Sequence, residues 1–289
     1  MSIVEPVIRP PAEADSFLLQ VTLGCSSCSC SFCGAYKNKT FHVKDQKEIL
    51  TDIHKYASRH SDTRRVFLMD GDALVLNNCK LVPILKELNQ AFPRLCRISS
   101  YANGCNITRK SDQELTELYE HKLSLIYLGL ESGSQYILER CGKSSGVDEM
   151  IEAVHRMDLA HIKASVIVLL GLGGRQYSAE HVIGTIEALN RMQPRYLSFL
   201  SLIVIPDTPL AEEVKKGGFE ELDSLELLKE SYEIIKGLDL KKTIFRSDHA
   251  SNYLALDGVL PKDKIKLSNV LKSAIDGKIR LRPEILRGL

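Results

Sequence analysis

Four cysteines fall within nine positions, at 25, 28, 30 and 33, in the stretch "LGCSSCSCSFCGAYK" over residues 23–37. Thiolates this close together hold a metal ion, hold an iron–sulfur cluster, or exchange as a redox pair. Two C-x-x-C pairs, Cys25/Cys28 and Cys30/Cys33, offer the four sulfurs of a zinc site. Zinc ribbons, however, separate such pairs by roughly 15 to 20 residues so that two knuckles face one ion, and here one residue intervenes. A cubane is wider than a single ion and accepts close ligands along one side. A redox C-x-x-C leaves the other two thiols without a role. A non-catalytic electron-transfer or sensing protein, with all four cysteines on one cluster, is the alternative of a different class. Cys79, Cys96, Cys105 and Cys141 stand singly, without the spacing of an auxiliary cluster; a lone cysteine is ordinarily a small buried hydrophobe.

The elements that must position these thiols are legible in the hydrophobic pattern. Apolar runs at 17–23, 66–69, 96–100, 125–130, 164–170 and 196–204 are bounded by turn residues. Several are continuous rather than alternating, as parallel strands buried on both faces require. Amphipathic segments at 44–60, 77–91, 111–121, 147–160 and 178–192 lie between them. Ser111 with Glu114 has capping-box spacing. Strands alternating with helices predict right-handed βαβ units and one parallel sheet. The fold class is α/β, a partial (β/α)6 TIM-type barrel with a mainly helical C-terminal extension. Residues 1–16 read as an N-terminal arm, 17–205 as the core and 206–289 as the extension, packed on the core. In such folds reactive groups leave the C-terminal ends of strands, and the cysteine loop follows the first strand.

Cys25-x4-Cys30-x2-Cys33, with Phe32 before the last cysteine, resembles the cluster loop of radical S-adenosylmethionine (SAM) enzymes, within the Elp3/MiaB/NifB-like branch, over most of residues 17–255. That family usually shows C-x3-C-x2-C. Here Ser26 stands where the first cysteine would be, and Cys28 is a surplus thiol that could substitute as a ligand. The resemblance implies a 4Fe–4S cluster held at three irons by Cys25, Cys30 and Cys33, the fourth iron chelated by the amino and carboxylate groups of SAM. An electron from an external donor such as flavodoxin or ferredoxin then splits the sulfonium. Methionine leaves, and a 5′-deoxyadenosyl radical abstracts hydrogen from a substrate that the sequence does not identify.

The same resemblance distributes the cosubstrate over the strand ends. "DGDAL" places Asp70, Gly71 and Asp72 near the methionine ammonium; "LGLESGS" places Glu131 and Ser132 at the ribose; Lys143 falls near the methionine carboxylate; Gly171 of "LLGLGG" lies under the adenine, with Ile167 where some relatives carry an acid. Phe32 and Ser100 complete that set. Tyr101, Asn103, Arg246, Asp248, His249 and Asn252 are candidate substrate contacts, the last four in one polar loop. "GLGG" lacks the G-x-G-x-x-G register of a dinucleotide site. The missing auxiliary-cluster spacing, and the lack of a cobalamin-sized segment before residue 17, argue against methylthiolation and cobalamin-linked methyl transfer.

The chain's 289 residues allow a large core, and 44% apolar with 26% charged residues is an ordinary globular balance. A net charge of +1 gives no whole-molecule field toward nucleic acid. Residues 261–289 carry eight bases against three acids, and 212–239 carry nine acids against four bases; both read as solvated helix faces. No run has the length of a membrane span, and the first residues lack an apolar leader. The expected location is cytoplasmic, where clustered cysteines favour metal or redox roles over disulfides.

Overall fold

A computed structural model describes residues 3–5, 7–27, 29–36 and 39–288. Ten strands and ten α-helices follow one another among them. The strands are β1 (Phe17–Gln20), β2 (Thr22–Leu23), β3 (His42–Val43), β4 (Arg65–Met69), β5 (Arg97–Tyr101), β6 (Leu123–Glu131), β7 (Lys163–Leu170), β8 (Tyr196–Ser201), β9 (Thr243–Ser247) and β10 (Leu256–Leu260). The helices are α1 (Gln46–Ala57), α2 (Asn78–Ala91), α3 (Gly104–Thr108), α4 (Asp112–Glu120), α5 (Gln135–Arg140), α6 (Val147–Leu159), α7 (Gly174–Met192), α8 (Pro209–Lys215), α9 (Ser224–Gly237) and α10 (Lys264–Ile275). The fold is α/β around a mostly parallel eight-stranded sheet of order β1-β4-β5-β6-β7-β8-β9-β10, with the β9–β10 pair antiparallel at its edge.

The chain divides into two compact units. The first holds residues 1–28, 33–128 and 155–164; the second holds 29–32, 129–154 and 165–289. In the first, Phe17 pairs with Val66 and Val66 with Ile98, and Val66, Phe67, Leu68 and Met69 are all fully buried. That uninterrupted burial explains why the β4 run does not alternate. The capping box read from Ser111 and Glu114 is present at α4, satisfying two amides that the helix leaves unpaired. The N-terminal arm is anchored by Glu13, a fully buried acid that accepts from Arg97 Nη2 at 2.8 Å and from Tyr127 Oη at 2.7 Å.

In the second unit β7, β8 and β9 run parallel. The extension is mainly helical, with α8, α9 and α10, and it also supplies two of the sheet's strands, so the six strands read from the sequence become eight. The apolar pattern of β10 is interrupted by Asp257 and Gly258, and pairing with β9 secures it instead. The acid-rich stretch also departs from a uniformly solvated face: Glu230 on α9 is 2% exposed.

Candidate functional site

In the first unit, the short β2–β3 ribbon, with Leu23 opposite His42, closes the base of the cysteine loop. Gly24, at φ +73°, joins that loop to the end of β4 twice: its amide donates to Asp70 Oδ2 at 2.9 Å, and its carbonyl accepts the Gly71 amide at 2.9 Å. Gly71 then lies directly against Cys25. A Cβ on Gly71 would stand 2.7 Å from the Cys25 sulfur, a separation side-chain carbons do not tolerate, so a glycine is obligatory there.

Asp70 is fully buried in the left-handed region at φ +67°, uncommon for a residue with a Cβ. Gln20 Nε2 reaches its Oδ1 at 3.3 Å, and Lys39 Nζ lies 3.4 Å from its Oδ2. Asp72 is buried as completely. One oxygen accepts the Leu74 amide at 3.1 Å; the other accepts Ser26 Oγ at 2.9 Å, Asn103 Nδ2 at 2.9 Å and Asn106 Nδ2 at 2.5 Å. Burial raises its carboxyl above the usual range, while those side-chain donors pull it down. Both acids therefore hold the chain's own donors. Ser26, in the place of the usual cysteine, uses its hydroxyl on Asp72 and also receives Asn103 Nδ2 at 3.1 Å. Asn103, read as a substrate contact, thus belongs beside Cys25. Tyr36 lies here too: burial raises its phenol, and Tyr101, Asp70, Cys25 and Cys33 add to the effect. Ser100 is buried and donates to Leu68 O at 3.1 Å, a tie from β5 to β4. Tyr101 packs its ring on Phe67 at 5.2 Å.

In the second unit, residues 29–32 are tied to the turn after α5. Ser29 Oγ donates to Gly142 O at 2.6 Å, and the Ser31 amide donates to Cys141 O at 2.8 Å. Phe32 packs on Ile137, Cys141 and Leu172. Burial pushes the Cys141 thiol up to about 12, with Cys30 and Glu131 adding to it, which keeps Cys141 protonated at neutral pH. Glu131 ends β6 in the left-handed region at φ +65°, with Oε1 3.2 Å from Lys143 Nζ. Gly129 leaves room beneath this pair; a Cβ there would stand 2.9 Å from Glu131 Cδ and 3.1 Å from Lys143 Nζ. Burial lowers the Lys143 ammonium, but Glu131 and Cys30 outweigh it and raise it above its ordinary value. Ser132 is fully buried, 2.9 Å from His181 Nδ1. Gly171, at φ +84°, follows β7 and donates its amide to Glu230 Oε2 at 2.7 Å.

Of the stretch read as one polar loop, Arg246 lies on β9 opposite Asp257 rather than in the loop, and both it and Asp248 are exposed; His249 Nδ1 lies 2.9 Å from Ser251 Oγ. Asn252 is buried; it accepts Ser201 Oγ at 2.9 Å and donates to Phe199 O at 2.7 Å, stapling the loop to the end of β8. Cys28 lies outside the described residues. Cys79 and Cys96 are exposed, Cys105 is half-buried and Cys141 is buried. Among the described residues no three His, Cys, Asp or Glu side chains converge on one ion, and none of the helices is long and apolar enough to cross a membrane. The sequence reading missed Gly24, Tyr36, Lys39, Asn106, His181 and Glu230. Asn106 alone had a signal, standing three residues after Asn103 on the face of a helix.

Residues 19–189 match the family model of the radical SAM superfamily. Among solved structures, coproporphyrinogen III oxidase (HemN) from Escherichia coli, a radical SAM enzyme, is similar with a TM-score of 0.60 at 14% identity, over 76% of this chain and 52% of that one. The radical SAM methyltransferase TsrM from Kitasatospora setae, crystallised with cobalamin and a 4Fe–4S cluster, gives 0.56 at 16% identity, over 70% and 39%. Methylornithine synthase (PylB) gives 0.54 at 15% identity, over 78% and 63%. The chain thus spans between 39% and 63% of these proteins, and at such identities the likeness is one of fold. No curated protein matches the chain. The matched span covers more than half of the sequence and runs from the cysteine loop past the Gly71, Glu131 and Gly171 strand ends, and this chain belongs to the radical SAM superfamily, whose members bind a 4Fe–4S cluster and SAM.

Proposed function

We propose that this protein is a radical SAM enzyme that holds its cluster through Cys25, Cys30 and Cys33 and takes SAM at the ends of β4, β6 and β7. The observation that carries the reading is the seat of Cys25 on Gly71, which leaves no space for any other residue at position 71. The chain's residues fit the cluster: the three cysteines are in no disulfide and partly accessible, and thiolate is the donor that iron–sulfur clusters take. When bound, cluster and cosubstrate supply reductive cleavage of the sulfonium and hydrogen abstraction from substrate.

The protein's own part is orientation. Asp70 and Asp72 fix the cysteine loop through Gly24 and Ser26 rather than standing open to an ammonium. Lys143, held by Glu131, supplies a buried cation for a carboxylate. Glu131 turns from β6 to present its carboxylate toward ribose hydroxyls, and Gly171 offers bare backbone to the base. An external protein reductant supplies the electron. The substrate's chemical class is set by groups other than these.

The test is anaerobic reconstitution with iron and sulfide, reduction with dithionite, and chromatography for 5′-deoxyadenosine. The expected result is nucleoside release with SAM and an EPR signal that changes on SAM addition. Material that binds neither iron nor sulfide, or whose EPR signal ignores SAM, would overturn the proposal.

A further inference from the structure

Two buried groups in the second unit play no part in the chemistry above. Glu230, on α9, accepts the Gly171 amide at 2.7 Å through Oε2 and Ser178 Oγ at 2.7 Å through Oε1. No lysine or arginine reaches it among the described residues. His181, on α7, is fully buried, with Nδ1 2.9 Å from Ser132 Oγ and Nε2 without any hydrogen-bond partner. That bare nitrogen faces Glu230 Oε2 across 3.9 Å. The arrangement is costly: an uncompensated carboxyl and a half-satisfied imidazole are both out of water.

The connectivity gives the pair a use. Ser132 follows Glu131 at the end of β6, and Gly171 follows β7; these are the two turns assigned above to ribose and base. A Ser132 hydroxyl donating to Nδ1 leaves the proton on Nε2, aimed at Glu230. All donors then point at one carboxylate: His181 Nε2–H, Ser178 O–H and the Gly171 amide.

We propose that Glu230 and His181 are positioning residues that couple the Gly171 turn to the Glu131–Ser132 turn, and that occupation by an adenosine group closes the 3.9 Å gap into an imidazole–carboxylate hydrogen bond. The inference rests on the assignment of those turns to the cosubstrate. Closure adds a donor to the Glu230 anion, so binding and ionisation of Glu230 favour one another. Burial pushes that carboxyl up to about 7 and His181 down to about 4, so Glu230 is the partner that titrates near neutrality. Ser178 and the Gly171 amide oppose the effect of burial on Glu230, and His181 is the sole titratable side chain recorded against it among the described residues.

The experiment is calorimetric titration of the reconstituted holoenzyme with 5′-methylthioadenosine, which has the adenosine portion and no titrating amino acid group, from about pH 6 to about pH 8. If closure lowers the carboxyl by about one unit, wild-type affinity rises about fivefold across that range. Glu230→Gln keeps the shape and abolishes the rise; His181→Asn reduces it. Wild-type affinity independent of pH, or an undiminished rise in Glu230→Gln, overturns the coupling and leaves the site assignment standing. Unchanged affinity for the same nucleoside in Glu131→Gln and Gly171→Ala overturns the assignment itself.

Discussion

The Asp70 carboxylate accepts the Gly24 amide at 2.9 Å, so the residue that follows β4 also fixes the backbone immediately before Cys25. Asparagine tolerates the left-handed φ of +67° and keeps an acceptor for that amide. Asp70→Asn is therefore expected to retain cluster binding. Asp70→Ala strands a buried donor, at a cost of about 1–3 kcal/mol. It should lower both the denaturation midpoint and the iron content after reconstitution.

Gly71→Ala places a methyl group into Cys25, where overpacking costs roughly 1–3 kcal/mol and the sulfur must move. Circular dichroism should show a folded protein while iron and sulfide content drop together. A variant that reconstitutes as the wild type does would show that the loop moves freely away from β4.

At Glu131 stability and binding should part. Its φ of +65° carries strain that glycine does not feel. In a Lys143→Met background, which removes the buried cation that the carboxylate holds, Glu131→Gly is expected to leave thermal stability unchanged or raise it by up to about 1 kcal/mol, while cosubstrate affinity falls about tenfold further. A loss of stability with no loss of affinity would assign Glu131 a purely structural role.

His181 and Glu230 should tilt the pH–stability profile in opposite senses. The folded pKa of His181 is depressed to about 4, so the unfolded chain binds the extra proton, and stability rises with pH from there to its ordinary value. The folded pKa of Glu230 is raised to about 7, so the folded chain binds the extra proton and stability falls with rising pH between its ordinary value and 7. The two slopes largely cancel in the wild type. Glu230→Gln should expose the rising limb and His181→Asn the falling one, each on the order of 3 kcal/mol, read by urea melts across pH.

Cys28→Ser distinguishes the two iron–sulfur readings. Retention of the cluster and of the SAM-dependent EPR change, with loss of both in the Cys25, Cys30 and Cys33 serine variants, is expected. Loss of the cluster in Cys28→Ser would favour four protein ligands and a protein without a cosubstrate site.

Much of this architecture is readable residue by residue. The β4 core "VFLM" has one environment available, because only burial on both faces accommodates a run without a polar member. Ser111 and Glu114 cap α4 through contacts three residues apart, and such local hydrogen bonds are written in local sequence. The short strand β10, by contrast, is held by pairing with β9, and a partner's register is invisible in the segment itself.

The amino-acid order alone determined the family-like cysteine spacing, the alternation of strand and helix, and the placing of reactive groups in loops after strands, since these depend on separations along the chain and on hydrophobic period. Tertiary structure decided what each polar side chain faces. It turned Asp70 and Asp72 inward onto Gly24 and Ser26, spent Asn252 on Ser201, and buried Glu230, from an acid-rich helix, against the Gly171 amide. A carboxylate has the same sequence signature in water as beside an amide 59 positions away; only packing removes the water and makes the partner matter.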